Sequence, residues 1–74
     1  MAEPVDFALR GDFVTLAALL KASGMAGSGG EAKTLAMSGD VRVNGEPESR
    51  RGRKLRDGDE VTVAGSRIRV RAGP

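Results

Sequence analysis

The fold of this chain is decided by residues 40–59, which read DVRVNGEPESRRGRKLRDGD. Residues 41–43 alternate apolar and charged side chains, which predicts a strand with one buried face. Asn44 and Gly45 follow, and both tolerate the positive φ of a type I′ turn, so the pair predicts a hairpin. Pro47 has no backbone N–H and places the returning strand at a sheet edge or keeps it irregular.

The second half of this stretch carries the densest positive charge in the chain. Four of the five residues 50–54 are Arg or Lys, and residues 42–56 sum to +4 although the whole chain is only +2. Residues 1–20 sum to −2 and the remainder is neutral. One segregated basic segment indicates an anionic partner such as nucleic acid. The alternative is a solvated charged loop that opposes aggregation.

Composition narrows the chemistry further. The chain contains neither Cys nor His, which removes disulfides, thiolate metal sites and the commonest general base. We therefore expect a protein without a cofactor, a metal or catalysis. No apolar run approaches the roughly 20 residues needed to cross a bilayer, and residues 1–10 lack the basic and apolar regions of a leader. A cytoplasmic monomer without a membrane partner or a small-molecule substrate is expected.

A first short helix is predicted ahead of the basic segment. Thr15 suits the N-cap, and Leu16, Leu19 and Leu20 recur at the i, i+3, i+4 spacing that gives a helix one apolar face. Gly24 fits the left-handed position that ends such a helix.

A second helix is predicted to begin at the S-x-x-E capping box formed by Ser28 and Glu31, in which each side chain satisfies a free backbone N–H. Ala32, Leu35 and Ala36 form its apolar stripe, and Gly39 ends it.

Strands are predicted at both ends of the chain. Residues 5–9 alternate with one apolar face, and residues 61–63 and 67–71 form a last hairpin. Its outer face carries Arg67, Arg69 and Arg71, which are either a secondary contact surface or only an exposed face. The fold class expected is α+β, with two short N-terminal helices packed on a small, mostly antiparallel sheet. We expect residues 1–74 to form a single domain.

The order of these motifs resembles the RNA-binding domain named after ribosomal protein S-four. The likeness covers residues 15–63 and is nearest to the small free-standing bacterial members, the YbcJ-like proteins. It is carried by LLKASG at 19–24, SGGEAK at 28–33 and RRGRKL at 50–55. In that family the helices and the following hairpin form the αL motif, which docks on structured RNA, often ribosomal RNA.

The resemblance implies a non-catalytic RNA-binding protein and a set of polar or basic contact residues. These are Lys21, Ser28, Gly29, Lys33, Arg42, Asn44, Arg50, Arg51, Arg53 and Lys54. Many family members have Arg where this chain has Gly29, and a β-branched residue where it has Pro47.

The types of residue favour recognition of RNA shape. Closely spaced phosphates call for several cations at fixed separation. Arg50, Arg51 and Arg53 can each bind a phosphate with two N–H donors, and Lys54 acts as a point charge. The only aromatic residues, Phe7 and Phe13, are expected in the core, which leaves no platform for stacking bases.

Individual contacts have plainer alternatives. Lys33 is otherwise a solubilising lysine, and Asn44 is favoured as a turn residue over a base contact. Residues 27–30 form either a flexible joint or a helix N-terminus whose amides approach a phosphate, although Glu31 would compete with that phosphate.

Other functions remain open at this point. Two helices meeting at a Gly turn are also typical of a helix-turn-helix DNA-binding module, but residues 28–38 offer only Lys33 and Thr34 as base readers. Small size and a β-rich C-terminal half also suit a ubiquitin-like sulfur carrier, which needs a terminal Gly-Gly where residues 72–74 read Ala-Gly-Pro. An enzyme using carboxylates alone and a protein-interaction module complete the alternatives.

Overall fold

Nine elements follow one another along residues 4–73, the part of the chain that the computed structural model describes. They are β1 (Val5–Leu9), β2 (Val14–Thr15), α1 (Leu16–Ala22), α2 (Gly29–Met37), β3 (Arg42–Val43), β4 (Glu46–Pro47), β5 (Lys54–Leu55), β6 (Glu60–Val63) and β7 (Ser66–Ala72). The predictions for the leader and the terminal Gly-Gly involve residues 1–3 and 74, which lie outside this part.

The strands form two sheets. The larger has the order β1-β7-β6-β3-β4, in which β1 runs parallel to β7 and every other pair is antiparallel. The smaller contains only β2 and β5. The prediction of an α+β fold with a mostly antiparallel sheet is confirmed. The returning strand β4 lies at the edge of the larger sheet, as its proline predicts.

Side-chain caps begin both helices. The Thr15 hydroxyl accepts a hydrogen bond from the Ala18 N–H at 3.2 Å, and the Ser28 hydroxyl accepts one from the Glu31 N–H at 3.2 Å. The Glu31 carboxylate in turn accepts the Gly27 N–H at 2.6 Å. That N–H precedes the cap residue, whereas the usual capping box uses the N–H of the cap itself.

One hydrophobic cluster joins the helices to the sheets. Leu16, Leu19 and Leu20 have no exposed surface, which confirms the first predicted helical stripe. Burying each stabilises the fold by roughly 1.5–3 kcal/mol. The other buried members are Leu9, Ala26, Ala32, Ala36, Val41, Val43, Leu55, Val61, Val63, Ile68 and Val70.

Both tight hairpins have positive φ at their two central residues. The angles are +53° at Asn44 and +85° at Gly45, as the prediction of a type I′ turn requires. They are +51° at Ala64 and +80° at Gly65. The second turn therefore holds an alanine in a region that L-residues with a Cβ rarely adopt.

Asn44 also ties its turn to the next strand. Its amide nitrogen donates to the Asp59 carboxylate at 3.0 Å, and its amide oxygen accepts the Glu60 N–H at 2.9 Å. The structure thus gives Asn44 the turn role that the sequence favoured.

Two substitutions test these turns. Asn44→Ala should lower the free energy of unfolding by about 1–3 kcal/mol, because it removes two hydrogen bonds and leaves a less tolerant residue at positive φ.

Ala64→Asn should raise the free energy of unfolding by up to about 1 kcal/mol, because asparagine tolerates positive φ better than alanine does. Urea denaturation measures both. An Asn44→Ala variant as stable as the parent would contradict the structural role of this side chain.

Candidate nucleic-acid interface

We define the basic segment as residues 50–56, which contain four arginines and one lysine. Its backbone is fixed to the start of α1. The Leu16 N–H donates to the Arg53 carbonyl at 2.9 Å, and the Ala17 N–H donates to the Arg51 carbonyl at 2.9 Å. The first N–H groups of a helix have no partner within the helix. Here the basic segment supplies those partners, so one set of hydrogen bonds completes α1 and anchors the cations.

Two further contacts fix the backbone of the basic segment. The Arg53 N–H donates to the Arg50 carbonyl at 3.2 Å and closes a turn. Immediately afterwards Lys54 and Leu55 pair with β2 as the short strand β5. The sequence predicted neither β2 nor β5. The basic segment therefore includes a turn at residues 51–52 and the short strand β5.

Glu48 anchors the same region from the other side. Its side chain is only 7% exposed, yet it has a full set of partners. Its carboxylate accepts the Arg50 Nε at 2.8 Å and Nη2 at 3.2 Å, the Arg50 backbone N–H at 3.1 Å, and the Arg53 Nη1 at 2.9 Å. The hydrogen bonds from Arg50, and then those from Arg53, lower the pKa of Glu48 to about 2. The carboxylate also raises the pKa of Arg50.

This cluster divides the four predicted cations into two kinds. Arg50 and Arg53 share one carboxylate, so together with Glu48 they contribute a net charge of +1 in place of +2. Their guanidinium groups keep outward donors, because each has five N–H bonds and uses only some of them on Glu48. The Arg50 side chain remains 74% exposed and that of Arg53 30%. Glu48 thus fixes the orientation of the Arg50 and Arg53 side chains and reduces the net charge of the cluster.

The other cations of the segment lie outside the Glu48 cluster. Within residues 4–73, Arg51, Lys54 and Arg56 form no ion pair. The Lys54 Nζ lies 4.9 Å from the centre of the Phe13 ring, and the Arg56 Cζ lies 5.7 Å from it. Both distances fall within the roughly 6 Å over which a cation is attracted to an aromatic face.

Phe13 itself is 42% exposed, so the expectation that it packs in the core is wrong. The residue lies just before the two-residue strand β2, beyond any alternation that could have placed it. Phe7 is partly buried against the core, as expected.

The remaining predicted contact residues are exposed. Lys21 lies in the last turn of α1, Ser28 and Gly29 at the start of α2, Lys33 on α2, and Arg42 on β3. Their contacts with RNA stay predictions, as does that of Asn44.

The start of α2 is already occupied by polar groups of the protein. The Glu31 carboxylate binds the preceding Gly27 N–H, and the Ser28 hydroxyl binds the Glu31 N–H. A Cβ at position 27 would lie 2.8 Å from the carboxylate, so a larger residue there would require the flexible Glu31 side chain to shift. A phosphate would compete with Glu31 here, which makes this terminus a weaker contact than the basic segment.

The other features of residues 4–73 give little support to a catalytic site, a metal site or a membrane span. An open cleft beside α2 is lined by Met25, Leu35 and small polar residues, with Glu31 as its single carboxylate. No group of three or more acidic side chains in residues 4–73 is placed to hold a metal. None of the helices described is long and apolar enough to span a bilayer.

Two short helices followed by a hairpin and an anchored cationic segment define a small domain of the αL type. The S4 domain family matches residues 7–71, and the chain belongs to that family. The resemblance identified from the sequence is confirmed.

Two relatives support the assignment. The chain is 42% identical over 65 residues to the probable ribosome maturation protein RlbA of Bacillus subtilis strain 168, covering 88% of this chain and 89% of that protein. The solution structure of YbcJ from E. coli, described as revealing an αL motif involved in RNA-binding, matches with a TM-score of 0.73 and 36% identity. That match covers 97% of this chain and 92% of YbcJ.

Sequence reasoning missed Glu48, Phe13 and Arg56 as residues that shape this surface. A carboxylate two residues before a basic run was the available signal for Glu48, but Glu46 lies nearby and nothing local showed which of the two is buried. Arg56 lies one residue past the run that the family likeness highlighted. Nothing local distinguished Phe13 from a core aromatic.

Glu48→Gln tests the anchor. At pH 7 it should lower the free energy of unfolding by about 1–3 kcal/mol, because a neutral amide loses the charge-assisted hydrogen bonds. Because the pKa of Glu48 is lower in the folded protein than in the unfolded one, its carboxylate stabilises the fold fully above the ordinary pKa of 4.5. This stabilisation is lost as the pH falls toward about 2. The difference between the two proteins should therefore shrink across that window.

Urea denaturation at several pH values from 7 to 2.5 measures this difference. Glu46→Gln is the control, because Glu46 is exposed and forms no ion pair within the described residues. Stability curves for Glu48→Gln and the parent that stay parallel down to pH 2.5 would show that the Glu48 charge does not anchor the segment.

Proposed function

We propose that this protein is a non-catalytic RNA-binding protein whose basic segment recognises structured RNA by contacts to phosphates and by shape. The observation that carries the proposal is that the backbone of the basic segment is held against α1 and β2, while Glu48 holds the side chains of Arg50 and Arg53. Membership of the S4 domain family and the likeness to YbcJ support the same function.

The anchoring matters because the phosphates of folded RNA lie at fixed positions. A mobile loop would lose conformational entropy on binding, whereas a segment held by backbone hydrogen bonds has already lost it on folding. Arg51, Lys54 and Arg56 supply charge that no ion pair among residues 4–73 neutralises. Arg50 and Arg53 supply oriented donors on their outer edges.

Lys21, Lys33 and Arg42 would extend the contact surface beyond the basic segment, and Ser28, Gly29 and Asn44 would add polar contacts. With roughly four to six phosphates neutralised, the affinity should fall with salt at a log–log slope of about −3 to −5.

Ribosomal RNA is the first ligand to test, because the relative from Bacillus subtilis is named a probable ribosome maturation protein. We further propose that residues 1–74 act as one RNA-binding domain, as a monomer, in the cytoplasm.

The decisive variant is Arg51→Gln with Lys54→Gln. It removes two positive charges that form no ion pair within the described residues, and it leaves the Glu48 cluster intact, so the fold should be preserved. Affinity for a ribosomal RNA fragment should fall about 10- to 100-fold near 0.1 M salt, and the salt slope should become shallower by about 1.5. Fluorescence anisotropy over a salt series measures both.

A charge-matched control is Arg10→Gln with Arg67→Gln, two cations outside the basic segment that form no ion pair within the described residues. It removes the same formal charge, and its effect should be no more than a few-fold. Equal losses in both variants would show that net charge, and not the basic segment, governs binding. Tighter binding to a DNA duplex than to RNA would favour the helix-turn-helix alternative.

A further inference from the structure

Phe13 is the exposed aromatic residue of the described chain, and its surroundings are unusual. Single exposed apolar side chains are common on protein surfaces and mean little alone. This ring, however, has the Lys54 ammonium 4.9 Å and the Arg56 guanidinium 5.7 Å from its centre. It remains 42% exposed with both cations in place, so part of its surface is open to a ligand.

The three side chains are held together by the backbone. Thr15 pairs with Lys54 in the β2–β5 ladder, which places Phe13 at the end of that ladder beside Arg56. The Arg56 Nη1 donates to the Asp12 carbonyl at 3.4 Å, and its backbone N–H donates to the Asp59 carboxylate at 2.8 Å. The ring and its cations therefore form one ordered site adjoining the rest of the basic segment.

We propose that Phe13 stacks on an unpaired nucleobase of the bound RNA while Lys54 and Arg56 bind the phosphates on either side of that nucleotide. Proteins that bind single-stranded nucleic acid combine these two elements, an aromatic platform and cations that follow the backbone. Stacking uses the face of the base and accepts any base. The site thus selects RNA with a bulged or looped nucleotide over a fully paired stem. This inference rests on the proposed RNA binding.

A simpler role for the ring would be to position Lys54 and Arg56 through cation–π attraction. The two roles differ in a measurable way. A positioning ring affects binding to every RNA whose phosphates meet those cations. A stacking ring affects binding only to RNA that offers an unpaired base.

The experiment compares two blunt RNA duplexes of one sequence, with and without a single-nucleotide adenosine bulge. Phe13→Leu keeps an apolar side chain of similar size but removes the aromatic face. Its affinity for the bulged duplex should fall about tenfold, while its affinity for the paired duplex should change less than twofold. Because the ring is exposed, the variant should fold, and thermal melting verifies that it does.

A second variant reports stacking directly. The chain has no Trp or Tyr, so Phe13→Trp introduces a single indole whose fluorescence a stacked base quenches. The bulged duplex should quench it strongly at stoichiometric protein, and the paired duplex should not.

The outcomes separate the two levels of the proposal. Equal losses of affinity for both duplexes in Phe13→Leu, or equal quenching of the indole by both, would overturn stacking and leave RNA binding intact. Unchanged affinity of Phe13→Leu for the bulged duplex would do the same. Failure of the parent protein to bind either duplex or ribosomal RNA at low salt would overturn the proposed function itself.

Discussion

The carboxylate of Glu48 is the contact on which the shape of the basic segment depends. A buried carboxylate is strongly unfavourable unless charge and hydrogen bonds compensate it. Here two guanidinium groups and one backbone N–H do so, and they come from the segment itself. Removing both arginines would leave the Glu48 carboxylate buried without this compensation. The fold and the cationic surface are therefore stabilised by the same interaction, at the expense of one unit of positive charge.

The backbone of the basic segment likewise stabilises the fold, through its hydrogen bonds to α1. A short helix such as α1 gains little from its own hydrogen bonds and depends on capping and packing. The carbonyls of Arg51 and Arg53 cap it while its leucines fill the core. A cationic surface built this way needs no long loop, because hydrogen bonds to α1 hold its backbone in place. Membership of the S4 domain family is consistent with this arrangement, because the matched region includes the whole of it.

Much of this fold could be predicted because its signals are local. The capping box at Ser28, the turn at Asn44 and the leucine spacing of α1 each depend on neighbours within a few residues. The strands β2 and β5 could not be predicted, since two residues carry no periodicity. The burial of Glu48 and the exposure of Phe13 could not be predicted from the sequence for a related reason. The Phe13 ring lies beside Lys54 and Arg56, which are distant in sequence, and treating the arginines as equivalent missed the carboxylate that Arg50 and Arg53 share.

The claim that the anchored segment is the RNA-binding surface can be tested most directly by nuclear magnetic resonance. The tightest-binding ribosomal RNA fragment would be titrated into ¹⁵N-labelled protein while the backbone amide signals are followed. We predict that the largest shifts map to residues 50–56 and to residues 13–17, which pair with them. Signals from β1 should move little. Shifts centred on β1 and β7, or spread evenly over the protein, would contradict the assignment.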